Sequence, residues 1–118
     1  MDDLSGKYLI VNADGFGFTY GNNRGILEIL PNGFVRSVSV NVTWPAVEEV
    51  VTLAREFPDV TIGVHLNLSV GPPILPPKEI PSLVGSDGEF HGPRFPRLAR
   101  RRELNVEEMK RELRAQFH

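Results

Sequence analysis

The stretch FVRSVSVNV at residues 34–42 alternates with a period of two, a pattern that an extended strand segregates onto two faces. Phe34, Val38, Val40 and Val42 share one face, and Val35, Ser37, Ser39 and Asn41 share the other. Two further strand signals flank it. Residues 7–12 (KYLIVN) precede it, and VTIGVHLNL at 60–68 sets Ile62, Val64, Leu66 and Leu68 opposite Thr61, Gly63, His65 and Asn67. Between the strands lie helical patterns. Residues 22–30 carry Ile26, Leu27, Ile29 and Leu30 and stop at PNG, while residues 45–57 open with Pro45 and close before Pro58. Val47, Val50, Val51 and Ala54 supply the apolar positions of the second helix. Strand, helix, strand, helix, strand predicts an α/β fold of parallel βαβ units.

The text changes after the third strand. Residues 69–96 hold seven prolines and four glycines. Proline lacks the N–H that a ladder or helix interior requires, so this tract predicts a long loop, a lid or a linker. SDGEF within it reads as a tight turn at the tip of a small hairpin. A last helix is expected from Asn105, a fitting N-cap with Glu108 three residues on. That helix carries no terminating glycine, asparagine or proline, and three parallel strands leave open edges. Both features predict a part of a larger architecture, and self-association or strand exchange between copies.

Composition narrows the chemistry. With 118 residues the chain is one domain's worth, and a net charge of -2 with pI near 5.9 offers nothing to a nucleic acid. Arg97, Arg100, Arg101 and Arg102 are followed by Glu103, Glu107 and Glu108, which reads as a solvated helix face. No cysteine is present, which excludes disulfides and thiolate chemistry. Apolar runs are too short for a membrane span and no signal segment precedes Lys7, so no membrane partner and a cytoplasmic location are expected.

Functional groups in α/β folds gather at the C-terminal ends of the strands. Asn12 and Asp14 stand at the predicted end of the first strand, Asn41 at the second, and His65 and Asn67 at the third. Asp14 suits either catalysis or capping, and His65 either a metal ligand or a structural hydrogen bond. The three asparagines suit backbone hydrogen bonding as well as substrate contact. Tyr20 and Trp44, just after the first two strands, either line a sugar site or pack. His91 and His118 are weak candidates, and GFG at 15–17 lacks the spacing of a dinucleotide fingerprint.

Several blocks together resemble the YdjC-like carbohydrate deacetylases: LIVNADGFG at 9–17, NRGILE at 23–28, GFVRSVSVNV at 33–42 and PAVEEVVTLAREFPD at 45–59. IGVHLNLSVGPPILPP at 62–77, SLVGSDGEF at 82–90 and ELRAQ at 112–116 continue the likeness over nearly the whole chain. The resemblance implies residues 1–118 as the N-terminal half of a (β/α) TIM-like barrel, with the proline-rich segment as its loop or lid. It also implies a hydrolase that removes acetyl groups from N-acetylated sugars such as chitooligosaccharides, using a divalent metal, magnesium or zinc. By position, Asp14 matches the first aspartate of the family's NADDFG signature, the catalytic base, and His65 matches a metal-binding histidine. Asn12, Asn67, Tyr20 and Trp44 are then the candidates for contacting the sugar. Gly15 stands where the signature has a second, metal-binding aspartate, and the family's later H-x-H-like block does not occur. With two expected ligands lacking, the sequence predicts weak or absent deacetylase activity, or a non-catalytic module with residual sugar binding.

Overall fold

The computed structural model describes residues 6–118. Three strands form one parallel sheet in the order β1 (Asn12–Phe16), β2 (Ser37–Asn41), β3 (Thr61–His65). Helix α1 (Tyr20–Ile29) joins the first pair, and α2 (Val50–Glu56) joins the second. The second and third strand signals mark real strands, the first lies just ahead of one, and the βαβ alternation is observed. The expectation that no signal segment precedes Lys7 rests mainly on residues 1–5, outside those described.

The first strand begins later than its apolar run. Residues 7–11 lie outside the ladder, with Leu9 and Ile10 each 83% exposed. Pairing starts at Asn12, opposite Ser37, because the chain facing the earlier residues is still leaving the turn at Gly33. Asn12 thus opens β1 rather than ending it.

Register defines two faces. Val38 and Val40 are buried and pair with Ile62 and Val64 of β3, while Ser37, Ser39 and Asn41 pair with Thr61, Gly63 and His65. The apolar face carries both helices and the main core of Phe16, Ile26, Leu30, Val35, Val38, Val40 and Leu53. Fully burying one such side chain, Leu53 for example, contributes about 1.5–3 kcal/mol. Ile62 and Val64 point to the same face yet stay partly exposed, at 38% and 42%.

Within α2 the expected apolar set shifts. Val51 and Ala54 are exposed, and Leu53 is the buried residue. The segment begins as a 3₁₀ helix (Pro45–Glu49), whose three residues per turn rotate the face before the α-helix starts.

The proline-rich tract folds on itself. Ile80, Leu83, Val84 and Phe90 form a second small core, joined by Leu68, Leu75, Leu104 and Met109. Val84 and Phe90 pair antiparallel across the SDGEF turn, and Gly85 N–H donates to the Glu89 carbonyl at 2.8 Å, so the small hairpin is present. A short helix, α3 (Phe95–Arg100), leads to α4 (Val106–Phe117). Asn105 caps α4 as expected, its side chain accepting from the N–H groups of Glu107 and Glu108.

Helix α4 presents a buried polar stripe. Glu108, Glu112 and Gln116, four residues apart, are all inside. Glu108 accepts from Ser82 N–H and hydroxyl at 2.8 and 2.7 Å. Glu112 accepts from the N–H groups of Ile74 and Leu75, both at 2.9 Å. A tract without ladder partners must place its buried N–H groups somewhere, and these carboxylates take them. Among the described residues no helix is long and apolar enough to cross a membrane.

Candidate active site on the polar face of the sheet

The face opposite the core is lined by Asn12, Asp14, Ser37, Ser39, Asn41 and His65. Asn12 bridges two serines of β2: its amide donates to Ser39 Oγ at 3.0 Å, and its oxygen accepts from the Ser37 hydroxyl at 2.7 Å. Asp14 reaches over β2 to the far strand. Its Oδ1 lies 2.7 Å from His65 Nδ1, with 63% and 43% of the respective side chains exposed.

A carboxylate only accepts, so the proton of a neutral His65 sits on Nδ1 and the lone pair on Nε2. The pair can pass or hold a proton, and the free Nε2 can take a ligand.

Gly15 shapes the loop beside this pair. Between Ala13 and Phe16 the register with β2 shifts by one residue, a bulge that returns Phe16 to the core. Gly15 sits in it at φ +86°, a left-handed conformation that glycine adopts without strain. Its carbonyl accepts from Asn22 Nδ2 at 2.6 Å. A side chain at this position would start from this backbone, with a Cβ 3.0 Å from that same amide nitrogen.

A catalytic divalent metal takes three protein ligands and keeps an open position. Asp14 and His65 are two donors already turned to each other, and among the described residues no three His, Cys, Asp or Glu side chains gather. The residues present do not by themselves fit such a metal.

The remaining candidates have other partners. Asn67 lies beyond β3, and its side chain does not share the direction of His65. Its Oδ1 accepts from the N–H groups of Ser69 and Val70, and its Nδ2 donates to the Val70 carbonyl at 2.6 Å and to Thr43 Oγ1 at 3.3 Å. Trp44 is half-buried, edge-on to Phe18, and packs close to Gly71, where a Cβ would come within 2.2 Å of its ring. Tyr20 donates to Glu48 Oε1 at 2.6 Å, and that hydrogen bond, reinforced by the carboxylate's charge, holds the phenol above its usual range. Tyr20 also lines an open groove of about 570 Å³ with Arg24, Leu27, Glu28 and Glu49, a lining that excludes Asp14 and His65. His91 Nε2 donates to the Ser82 carbonyl at 3.0 Å, inside the proline-rich tract.

Sequence reasoning missed Asn23. Fully buried, it accepts from Gly17 N–H at 2.6 Å and donates to the Ala46 carbonyl and to Glu49 Oε2. It ties the loop after β1 to the loop after β2, and its signal was a pair of asparagines opening a helix directly after a glycine loop. The polar stripe of α4 was also legible as a four-residue repeat, though not its burial.

The family model described as YdjC-like protein matches residues 8–118. A carbohydrate deacetylase from Geobacillus stearothermophilus is 43% identical over 84 residues, covering 71% of this chain and 33% of the relative. A carbohydrate deacetylase from Listeria innocua is 40% identical, covering 93% and 42%. A chitooligosaccharide deacetylase from Serratia marcescens is 38% identical, covering 94% and 42%. A crystal structure from Enterococcus faecalis, of a protein described as a candidate for cellobiose-phosphate cleavage, superposes with a TM-score of 0.78. It is 37% identical and covers 91% of this chain and 41% of its own. The chain spans about a third to two fifths of the length of these relatives. With the family match running over almost its full length, the chain belongs to the YdjC-like family.

Proposed function

We propose that this chain carries the Asp14–His65 portion of a deacetylase site acting on N-acetylated sugars of the chitooligosaccharide type. The observation that carries the reading is the 2.7 Å contact between the two side chains on the polar sheet face, in a chain whose relatives are named deacetylases. Hydrolysis of an acetamide needs a water deprotonated as its oxygen attacks the carbonyl carbon. The C–N bond then breaks, the amine takes the proton, and acetate leaves. Asp14 is placed to take the water's proton, and His65 holds its carboxylate in position.

A divalent metal, magnesium or zinc, would supply polarisation of the carbonyl if further ligands beyond Asp14 and His65 held it. His65 Nε2 is the donor this segment offers it. Two donors do not retain such an ion, so the chain by itself is proposed to be weakly active or inactive. Gly15 favours a second reading, a non-catalytic module that keeps sugar binding, because its backbone has taken a glycine conformation.

The sheet is proposed as a segment of a (β/α) barrel, supported by helices on one face and a polar opposite face. β3 is exposed along its whole length, which supports self-association through that edge. Light scattering behind size exclusion should give a mass above that of one chain; a clean monomer at high concentration overturns this.

The function is tested by incubating the purified chain with an N-acetylglucosamine oligomer, with and without magnesium or zinc, and measuring acetate. Trace release that disappears in Asp14→Ala supports the deacetylase reading. Binding without any release supports the non-catalytic one. Turnover at ordinary enzymatic rates overturns the claim of weak activity, and neither binding nor release overturns both.

A further inference from the structure

We infer that Gln116, near the end of α4, is a positioning residue for His65. The ladder between β2 and β3 ends at the pair Asn41 and His65, and nothing continues it along residues 66 and 67. In place of a strand, the main chain of Asn67 meets a side-chain amide. Asn67 N–H donates to Gln116 Oε1 at 2.8 Å, and Gln116 Nε2 donates to the Asn67 carbonyl at 2.6 Å. The amide thus reproduces, in both directions, the two hydrogen bonds of a strand neighbour.

The amide cannot turn over. Its Nε2 also donates to Glu112 Oε1 at 2.7 Å, and both residues are buried. A flipped amide would set its oxygen against a carboxylate and a carbonyl, three acceptors with no proton among them. Glu112 is fixed in turn by Ile74 and Leu75.

His65 is therefore held by the last ladder pair, its own with Asn41, and by the amide clamp two residues after it. This matters because β3 is otherwise an edge strand, exposed on both faces, and such strands fray. A carboxylate–imidazole hydrogen bond needs the ring held to within a few tenths of an ångström. We assign that restraint to α4, some fifty residues further along the chain.

The inference rests on the reading that Asp14 and His65 are the working pair, but its test does not use deacetylation. Ring-nitrogen NMR shifts of His65, recorded at about pH 8, report whether the proton stays on Nδ1. Hydrogen exchange reports whether Asn67 N–H is bonded. In the unmodified chain the two ring nitrogens should be well separated and Asn67 N–H protected. Gln116→Met keeps length and helix propensity but removes both clamp bonds. It should expose Asn67 N–H by roughly tenfold in exchange rate and narrow the ring-nitrogen separation, as Asp14→Asn does with the clamp intact.

A folded Gln116→Met chain with unchanged His65 ring shifts overturns the inference. So does an Asn67 N–H in the unmodified chain that exchanges as fast as a free amide. Should Gln116→Met fail to fold, Gln116→Glu is read on the His65 ring shifts alone, since it keeps an acceptor for Asn67 N–H but turns the donor facing the Asn67 carbonyl into an acceptor. Acetate release, measured separately, tests the deacetylase reading whatever the clamp does.

Discussion

Asp14 Oδ1 and His65 Nδ1 meet at 2.7 Å across the full width of the sheet, each on an edge strand, with β2 between them. Fifty-one positions separate them in sequence. Both are largely solvent-accessible, so their attraction is screened and adds little to stability. Asp14→Ala should shift the urea unfolding free energy by less than about 1 kcal/mol while abolishing any acetate release. A large loss of stability would show that Asp14 serves the fold rather than the chemistry.

Glu112 is the opposite case. It is fully buried and accepts hydrogen bonds from Ile74 N–H, Leu75 N–H and Gln116 Nε2. Glu112→Leu leaves three donors without an acceptor, at about 1–3 kcal/mol for each that water cannot reach. Unfolding in urea should show a loss of roughly 2–5 kcal/mol, with exchange protection at residues 74 and 75 disappearing first. A loss below about 0.5 kcal/mol would mean that water reaches those amides in the folded state.

Gly15→Asp puts a carboxylate where the resemblance to the NADDFG signature expects one. At φ +86° any side chain is strained, and the new Cβ would crowd Asn22 Nδ2 at 3.0 Å. The variant should lose about 1–2 kcal/mol in thermal or urea unfolding. If it gains affinity for zinc or magnesium, it does so only after the bulge reorganises, which would appear as amide shift changes at Gly15 and Asn22. Unchanged stability with no shift at Asn22 would contradict the bulge.

Tyr20 gives a pH signature. Its hydrogen bond to Glu48, then the carboxylate's charge, raises its ionisation above the usual 10.0. Because the folded chain holds the phenol proton more tightly than the unfolded one, the associated stabilisation is complete below pH 10 and is lost as pH rises through the folded-state value. The chain has two tyrosines, so in Tyr8→Phe the absorbance of tyrosinate reports Tyr20 alone. Ionisation should come later than in free tyrosine and return to the ordinary range in Glu48→Ala; identical curves would dissolve the link.

Much of the architecture was legible in local pattern. The two-residue period over 37–41, the helix stop at PNG, the Asn105 cap and the SDGEF turn each act within a few residues, and each is observed; ahead of the strand the period fails, with Phe34 exposed and Val35 in the core. Strand limits were less legible. Residues 7–11 are as apolar as a buried strand, yet a strand exists only where a partner presents its N–H and C=O groups, and that partner begins at Ser37. Val51 likewise looked internal until the 3₁₀ turn before it rotated the helix.

The sequence by itself determined which residues alternate, which segments turn, and that Asp14 and His65 belong to strand ends or the loops beside them. Tertiary structure alone decided that those two meet, that Asn67 turns away into its loop, and that three polar residues of α4 go inside. The reason is physical. A local period records one element's own geometry, whereas burying a carboxylate or an amide is tolerable only where partners from distant elements satisfy it. The burial of Glu112 and Gln116 follows only once Ile74, Leu75 and Asn67 are placed against them.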